Sequence, residues 1–322
     1  MAADSIDFNG QVAVVTGAGG GLGQGYALEL ARRGARVVVN DLGTGADGAG
    51  LADQTVAQIV GLGGEAMVSR DSVSTPEGGS AIIDAAVDAF GRVDVVINNA
   101  GILRNGYFDE LEQHDIDAVL DVHLNAAFHV TRPAWSLMKA QGFGRVVLTA
   151  SASGAFGLVG QANYGAAKGG LMGLGRVLAL EGYEHGINVN CILPMAATTI
   201  ADNSPIPDFW HHAARWLPDG PPTGLAARRE RELVAALVVF LCSRECDLTG
   251  EAYSVCGGRY ARVFTGVADG WLAPDGPASV EDVVEHLPAI RDLSHYTVPR
   301  ALHEEIAGVA DQARRLAQGV AG

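Results

Sequence analysis

Gln11-Val12-Ala13-Val14-Val15-Thr16-Gly17-Ala18-Gly19-Gly20-Gly21-Leu22-Gly23-Gln24-Gly25-Tyr26-Ala27-Leu28-Glu29-Leu30-Ala31 is the stretch that decides the fold. Gln11–Val15 is a short apolar, β-branched run, which predicts a buried strand. From Leu22 to Ala31 the apolar residues recur at helical spacing, and the pattern stops at Gly34. Strand, glycine turn and helix in immediate succession are the context that separates a dinucleotide site from a chance glycine pattern. Gly17 permits the tight turn. Gly21 and Gly23, on either side of Leu22, let the backbone approach a pyrophosphate and let the helix pack on the strand, while free amides at the helix start attract negative charge. The bland alternative is a flexible surface loop. The spacing TGxxxGxG differs from the commoner GxGxxG.

A second strand, Arg36-Val37-Val38-Val39-Asn40, runs into Asp41, 18 residues beyond Gly23. An acidic side chain there accepts hydrogen bonds from ribose hydroxyls and repels a 2′-phosphate. The glycine loop carries no Lys or Arg to offset that repulsion, so NAD is expected in preference to NADP. Asp41 as a simple turn residue before Gly43 is the structural alternative. Asp71, after the expected third strand Ala66-Met67-Val68-Ser69, is a candidate adenine cap.

Further along, Ser151 precedes Tyr164 by 13 positions, and Lys168 follows Tyr164 by four. An unperturbed phenol has a pKa of about 10 and is a poor base at neutral pH. A lysine one helical turn away, together with a positive nicotinamide ring, favours phenolate. Tyr164 would then take an alcohol proton while hydride leaves the adjacent carbon for NAD. Ser151 would hydrogen-bond the substrate oxygen and steady its developing charge. A Tyr and a Lys at this spacing are unremarkable alone; with the upstream serine and the glycine loop they point to hydride transfer between a nicotinamide and an alcohol or ketone.

Thr16–Gly23, Asn98-Asn99-Ala100-Gly101, Ser151 and Tyr164-Gly165-Ala166-Ala167-Lys168 together resemble the short-chain dehydrogenase/reductase family, over roughly residues 8–258. The resemblance implies that Asn98, Asn99 and Gly101 support the sheet and flank the cofactor, and that Lys168 also holds the nicotinamide ribose. Val39–Gly43, Asn98–Arg104, Val122-His123-Leu124 and Gly160-Gln161-Ala162-Asn163-Tyr164 are similar to a narrower group. That group is the (3R)-hydroxyacyl-CoA dehydrogenase unit of multifunctional enzyme type 2, with bacterial relatives in steroid breakdown.

Two departures from the family pattern stand out. The family places an asparagine 41 positions before the tyrosine, where this chain has His123. His123 is a candidate catalytic residue that holds a relay water through its backbone carbonyl; the alternative is a helix histidine at a subunit interface. After the strand Ile187–Leu193 the family continues with Pro-Gly and a threonine that contacts the nicotinamide amide. Here Pro194 is followed by Met195, and Thr198 is the expected contact, with Thr199 next to it.

At 322 residues and 48% hydrophobic, the chain can bury a large core in one doubly wound domain. The expected class is α/β, a Rossmann-type parallel sheet over 1–258, with a helical C-terminal extension over 259–322 packing on the same domain. A net charge of −15 argues against a nucleic-acid partner. Coenzyme A would need a local basic patch, which Arg228, Arg229, Arg231, Arg259 and Arg262 could supply. Cys191, Cys242, Cys246 and Cys256 lack metal-site spacing and are expected as buried free thiols, and no metal is expected. No signal pattern, no apolar run of membrane length and no terminal Ser-Lys-Leu are found, so the cytoplasm is the expected compartment and no membrane partner is expected.

Gly165, Gly169, Gly170, Gly173 and Gly175 crowd the helix that begins near Asn163. Each costs a helix about 1 kcal/mol relative to alanine, which calls for close backbone approach in return, against the sheet and against a partner subunit. Family members commonly pair through this helix and the one around Glu112–Lys139, implying a homodimer or homotetramer. Substrate choice is expected in Met195–Gly224, rich in Pro205, Pro207, Phe209, Trp210, Trp216, Pro218, Pro221 and Pro222, acting as a lid for a bulky apolar small molecule. His211 and His212 are expected at the surface. In the extension, Ser279–Leu293 and Arg300–Ala317 show helical spacing.

These observations predict an NAD-dependent dehydrogenase for a hydrophobic alcohol, in first place a (3R)-3-hydroxyacyl-CoA. A hydroxysteroid dehydrogenase and a 3-oxoacyl reductase are the rivals, and a non-catalytic nucleotide-binding regulator is the alternative of another class.

Overall fold

The structure, a computed structural model, describes residues 6–46, 48–195, 206, 208–215, 230–273 and 276–317. It divides into two compact units, Met1–Arg262 and Val263–Gly322. In the first, strands and helices alternate: β1 (Val12–Thr16), α1 (Gly21–Arg32), β2 (Arg36–Asn40), α2 (Leu51–Gly61), β3 (Glu65–Ser69), α3 (Pro76–Phe90) and β4 (Val95–Asn98). Then follow α4 (Gln113–Leu120), α5 (Ala126–Gln141), β5 (Gly144–Thr149), α6 (Ala152–Phe156), α7 (Ala162–Gly182), β6 (Ile187–Met195), a helix Arg231–Cys242, β7 (Ala252–Cys256) and β8 (Arg259–Val263).

The eight strands form one sheet in the order β3-β2-β1-β4-β5-β6-β7-β8. Every pairing from β3 to β7 is parallel. A parallel sheet with helices on both faces buries its strands on both sides, which is why they read as unbroken apolar runs rather than alternating ones. Val12–Val15, Val37–Val39 and Val95–Ile97 are all fully buried. α1 packs on α2 and on Arg231–Cys242, whereas α3 packs on α5 and α4 on α7, giving the two helical layers. This is the doubly wound architecture the sequence predicts. β8 carries the sheet past Gly258, across a two-residue turn in which Gly257 and Gly258 both have positive φ (57° and 80°), a conformation that favours glycine.

The strand order reverses between β1 and β4, and ligands of open α/β sheets bind outside the carboxyl ends of the strands at such a point. Thr16, Asp41, Asp71, Asn98, Ser151 and Pro194 all stand at or just beyond carboxyl ends of strands. α4 and α5 are one helical run interrupted by a π-helical turn, Asp121–Asn125, a kind of insertion frequent at functional sites.

The crowded glycines of α7 find their reason in part. A Cβ on Gly175 would stand 2.8 Å from Cys191 Sγ, and one on Gly170 would stand 2.9 Å from a methyl of Leu124. Gly154 of α6 comes so close that its Cβ would lie 2.5 Å from the Gly169 nitrogen. Gly173 faces nothing within 4 Å.

In the second unit the expected helix over Ser279–Leu293 is two short ones, Val280–Glu285 and Leu287–Ile290. Pro288 supplies no backbone N–H and restricts the residue before it, so one continuous helix cannot pass. Ser279 opens the first with a capping box to Asp282. Tyr296–Thr297 pairs antiparallel with Val267–Ala268, and Leu302–Ala317 is helical as its spacing predicts. Among the described residues no helix is long and apolar enough to cross a membrane.

Candidate active site

The glycine loop leaves β1 through Gly17 and enters α1 through Gly21, both with left-handed φ (63° and 52°). Its shape is enforced by close approach. A Cβ on Gly23 would lie 2.2 Å from the Gly17 carbonyl oxygen, and one on Gly17 would lie 2.7 Å from Ala100 Cα. Gly20 precedes α1 and no side chain caps the leading amides of that helix, so these N–H groups are left for an anion. Leu22 is half-buried and packs against the core.

The segment after β4 is stapled to this loop. Asn99 Nδ2 donates to the carbonyls of Thr16 (3.0 Å) and Gly17 (3.1 Å), while Thr16 Oγ1 accepts from the N–H groups of Asn99 (3.0 Å) and Ala100 (3.1 Å). Asn98 turns the other way, donating through Nδ2 to Thr131 Oγ1 of α5 at 2.9 Å. Both amide side chains therefore hold protein to protein around the loop. Asp41, at the end of β2, accepts from the N–H of Gly19 (2.8 Å) and of Gly43 (2.7 Å). Asp71 accepts from Ser69 Oγ (3.0 Å), and its carbonyl accepts from Asn40 Nδ2 (2.9 Å).

Ser151, Tyr164 and Lys168 converge. Ser151 follows β5 and hydrogen-bonds the Tyr164 side chain, and its Oγ also accepts from the Ser153 N–H at 3.2 Å. Lys168 is 3% exposed; its Nζ donates to the Thr149 carbonyl and lies 5.5 Å from the centre of the Tyr164 ring. Burial pulls the Lys168 ammonium down to about 7, and burial pushes the Tyr164 phenol up, against the lowering effect of its bond to Ser151. At the phenol, burial outweighs the bond to Ser151.

His123 sits in the π-turn, 5% exposed, and its ring meets that of Tyr164 edge-on, with centroids 5.1 Å apart. Its Nε2 lies 2.8 Å from the Ile102 carbonyl oxygen and 3.1 Å from the Ile102 nitrogen. Burial, then the neighbouring Lys168, hold it well below the ordinary histidine value, so it is neutral. Sequence reasoning gave no role to Gln161 and Asn163, although both lie in the stretch that carried the resemblance. Asn163 Nδ2 donates to the Arg104 carbonyl at 2.9 Å and Gln161 Nε2 to Asn105 Oδ1 at 3.0 Å. With Gly106 N–H donating to the Gly160 carbonyl at 3.0 Å, they bind the loop after Gly101 to the start of α7.

Pro194 is half-buried on β6 and stands opposite Val255 of β7. Thr198, Thr199, Arg228, Arg229 and the proline and aromatic side chains expected in the lid lie outside the described residues. Of that segment, the short helix Phe209–Ala213 is described. Tyr107 Oη donates to Asp208 Oδ2 at 3.0 Å and lies 3.2 Å from His212 Nε2, so His212 is engaged rather than free at the surface. Phe156, Leu158 and Val159, in the segment between Ser151 and Tyr164, and Phe108, in the loop after Gly101, leave apolar side chains exposed. Arg231 is bonded to Gln24 and Glu232, Arg262 pairs with Glu251, and Arg259 donates to Ser254. All four cysteines are free; Cys191, Cys242 and Cys246 are buried and Cys256 half-buried. Among the described residues no group of three His, Cys, Asp or Glu stands ready to hold a metal ion.

Comparison with known proteins places this geometry. A short-chain type dehydrogenase/reductase of Mycobacterium tuberculosis is 46% identical over 288 residues, 88% of this chain and 95% of that one. Peroxisomal multifunctional enzyme type 2 of Mus musculus is 39% identical over 96% of this chain, which spans only 40% of its length. The solved structure of full-length peroxisomal multifunctional enzyme type 2 from Drosophila melanogaster superposes with a TM-score of 0.78 at 31% identity, covering 97% of this chain and 51% of that one. The family model described as short chain dehydrogenase matches residues 11–205. The chain belongs to the short-chain dehydrogenase/reductase family, oxidoreductases that act on CH–OH groups with a nicotinamide nucleotide.

Proposed function

We propose that the chain is an NAD-dependent dehydrogenase that oxidises the hydroxyl of a hydrophobic substrate, in first place a (3R)-3-hydroxyacyl-CoA. The observation that carries this reading is the convergence of Ser151, Tyr164 and Lys168 beside the glycine loop. The fit to a dinucleotide rests on the chain's own cradle. Uncapped amides open α1, and Gly17 and Gly23 let the loop close on itself and on Ala100 without a Cβ in the way, which holds those amides together at the helix start. Asp41 brings a carboxylate to the end of β2, where it favours two free ribose hydroxyls over a 2′-phosphate.

Bound in its oxidised form, the cofactor supplies a hydride acceptor and positive charge near Tyr164. Ser151 orients the substrate hydroxyl and Tyr164 takes its proton, as the C–H electron pair leaves that carbon and a carbonyl forms. Lys168 is fixed by the Thr149 carbonyl with its Nζ 5.5 Å from the centre of the Tyr164 ring, where it would bond the nicotinamide ribose. Asn99 keeps the segment after β4 against the glycine loop, Asn98 anchors it to α5, and Gly101 closes it.

The choice of an acyl-CoA draws on the named relatives, and the exposed apolar residues Phe108, Phe156, Leu158 and Val159 suit an acyl chain. The same residues would suit a steroid. Oxidation of a (3R)-3-hydroxyacyl-CoA, its 3S epimer, a 17β-hydroxysteroid and a 3-hydroxysteroid, each with NAD and NADP, separates the two. Turnover of the (3R)-thioester with NAD supports the reading; turnover of a steroid alone refutes the substrate class. A homodimer or homotetramer through α5 and α7 completes the proposal, because Phe128, Val177 and Leu180 leave apolar side chains exposed on those helices; light scattering that finds a monomer would refute it.

A further inference from the structure

We propose that His123 is a positioning residue for Tyr164, and that Gly101 lacks a side chain because the imidazole of His123 occupies that space. The inference rests on Tyr164 being the proton acceptor proposed above.

Gly101 does not have a left-handed backbone, so φ does not demand glycine there. What demands it is contact. A Cβ on Gly101 would lie 2.4 Å from His123 Cε1, 3.2 Å from Nδ1 and 3.3 Å from Nε2, and these are its three nearest neighbours. The imidazole is thus seated against the bare backbone at the end of Asn98–Gly101. Because Nε2 stands within hydrogen-bond distance of both the Ile102 carbonyl and the Ile102 nitrogen, either neutral tautomer makes one bond to that residue. The π-turn that carries the ring is itself seated, with Leu124 against Gly170 of α7.

On its remaining side the ring meets Tyr164 at an interplanar angle of 89°, the edge-to-face arrangement that aromatic pairs favour. One rigid side chain therefore ties three things together: the segment stapled to the glycine loop, the π-turn, and the phenol. The ring acts by fixing where the phenol points, and misplacement of a reacting group by about 1 Å can lower a rate about a hundredfold.

The test uses the full chain and four variants: His123→Ala, His123→Gln, Gly101→Ala and the Gly101→Ala/His123→Ala double. Steady-state turnover, NADH binding by fluorescence and the ultraviolet titration of Tyr164 (by difference from Tyr164→Phe) are measured on each. His123→Ala is expected to lower kcat at least about thirtyfold with NADH affinity little changed. His123→Gln should recover part of the loss, since its amide can still reach Ile102. Gly101→Ala alone should be as damaging, and the double variant no worse than His123→Ala, because the new methyl fills the vacated space. Multiplying losses in the double variant, or an unchanged kcat in His123→Ala, would overturn the inference. The titration decides it without turnover. Removing the ring should admit water and bring the Tyr164 phenol down toward its ordinary value; an unmoved phenol overturns the positioning role. Failure of the wild type on every alcohol would instead count against the functional reading alone.

Discussion

Asp41 Oδ2 accepts a hydrogen bond from the backbone N–H of Gly19 at 2.8 Å. The carboxylate expected to meet a ribose is therefore also a clamp on the glycine loop, and it holds Gly43 with its other oxygen. Removing it should do two things at once. Asp41→Ala is expected to lower the NAD/NADP preference and also to weaken NADH binding about tenfold, the value of one hydrogen bond to a charged group. Fluorescence titration with both reduced nucleotides checks this. An unchanged preference would refute the ribose contact, and unchanged NADH affinity would refute the clamp.

Gly23→Ala places a methyl 2.2 Å from a backbone oxygen, that of Gly17, which cannot rotate away. The loop must open, and its amides no longer converge. Cofactor binding should be lost while the fold survives, with NADH fluorescence and far-ultraviolet circular dichroism as the two readouts. Retained binding would mean that the loop is softer than its packing implies.

Lys168 gives a stability signature in pH. Unfolded, a lysine holds its proton up to about 10.4; folded, burial lets Lys168 release it near 7. Below about 7 both states carry the proton and the burial cost is fully present. Between about 7 and about 10 only the unfolded state binds it, so stability rises with pH in that window. The melting temperature of the wild type, free of nucleotide, should therefore gain on that of Lys168→Met as pH rises from about 7 to about 10. Parallel curves would contradict the burial effect.

The run from Gln11 to Ala31 was legible because every signal there is local: a β-branched strand, obligatory glycines, a helical period. Ser151, Tyr164 and Lys168 were legible because their spacing survives in sequence although their meeting depends on β5 and α7 lying together. His123 was not. Its environment is set by Gly101 and Ile102, brought to it only after a π-turn interrupts the helix, and nothing in Val122-His123-Leu124 encodes that turn. Asp41 was half legible. Its place at the end of β2 follows from pattern, but its side chain's grip on the Gly19 N–H spans 22 positions. The long helix expected over Ser279–Leu293 failed because apolar period was weighed above Pro288.

Tyr164 carries the proposed chemistry most directly. NADH formation from a (3R)-3-hydroxyacyl-CoA is to be followed by near-ultraviolet absorbance, with NAD and with NADP, for the wild type and for Tyr164→Phe. The wild type should turn over with NAD in preference to NADP. The variant should bind NADH normally yet lose at least about a hundredfold in turnover, the scale of general acid–base catalysis. Turnover retained by Tyr164→Phe would contradict the account.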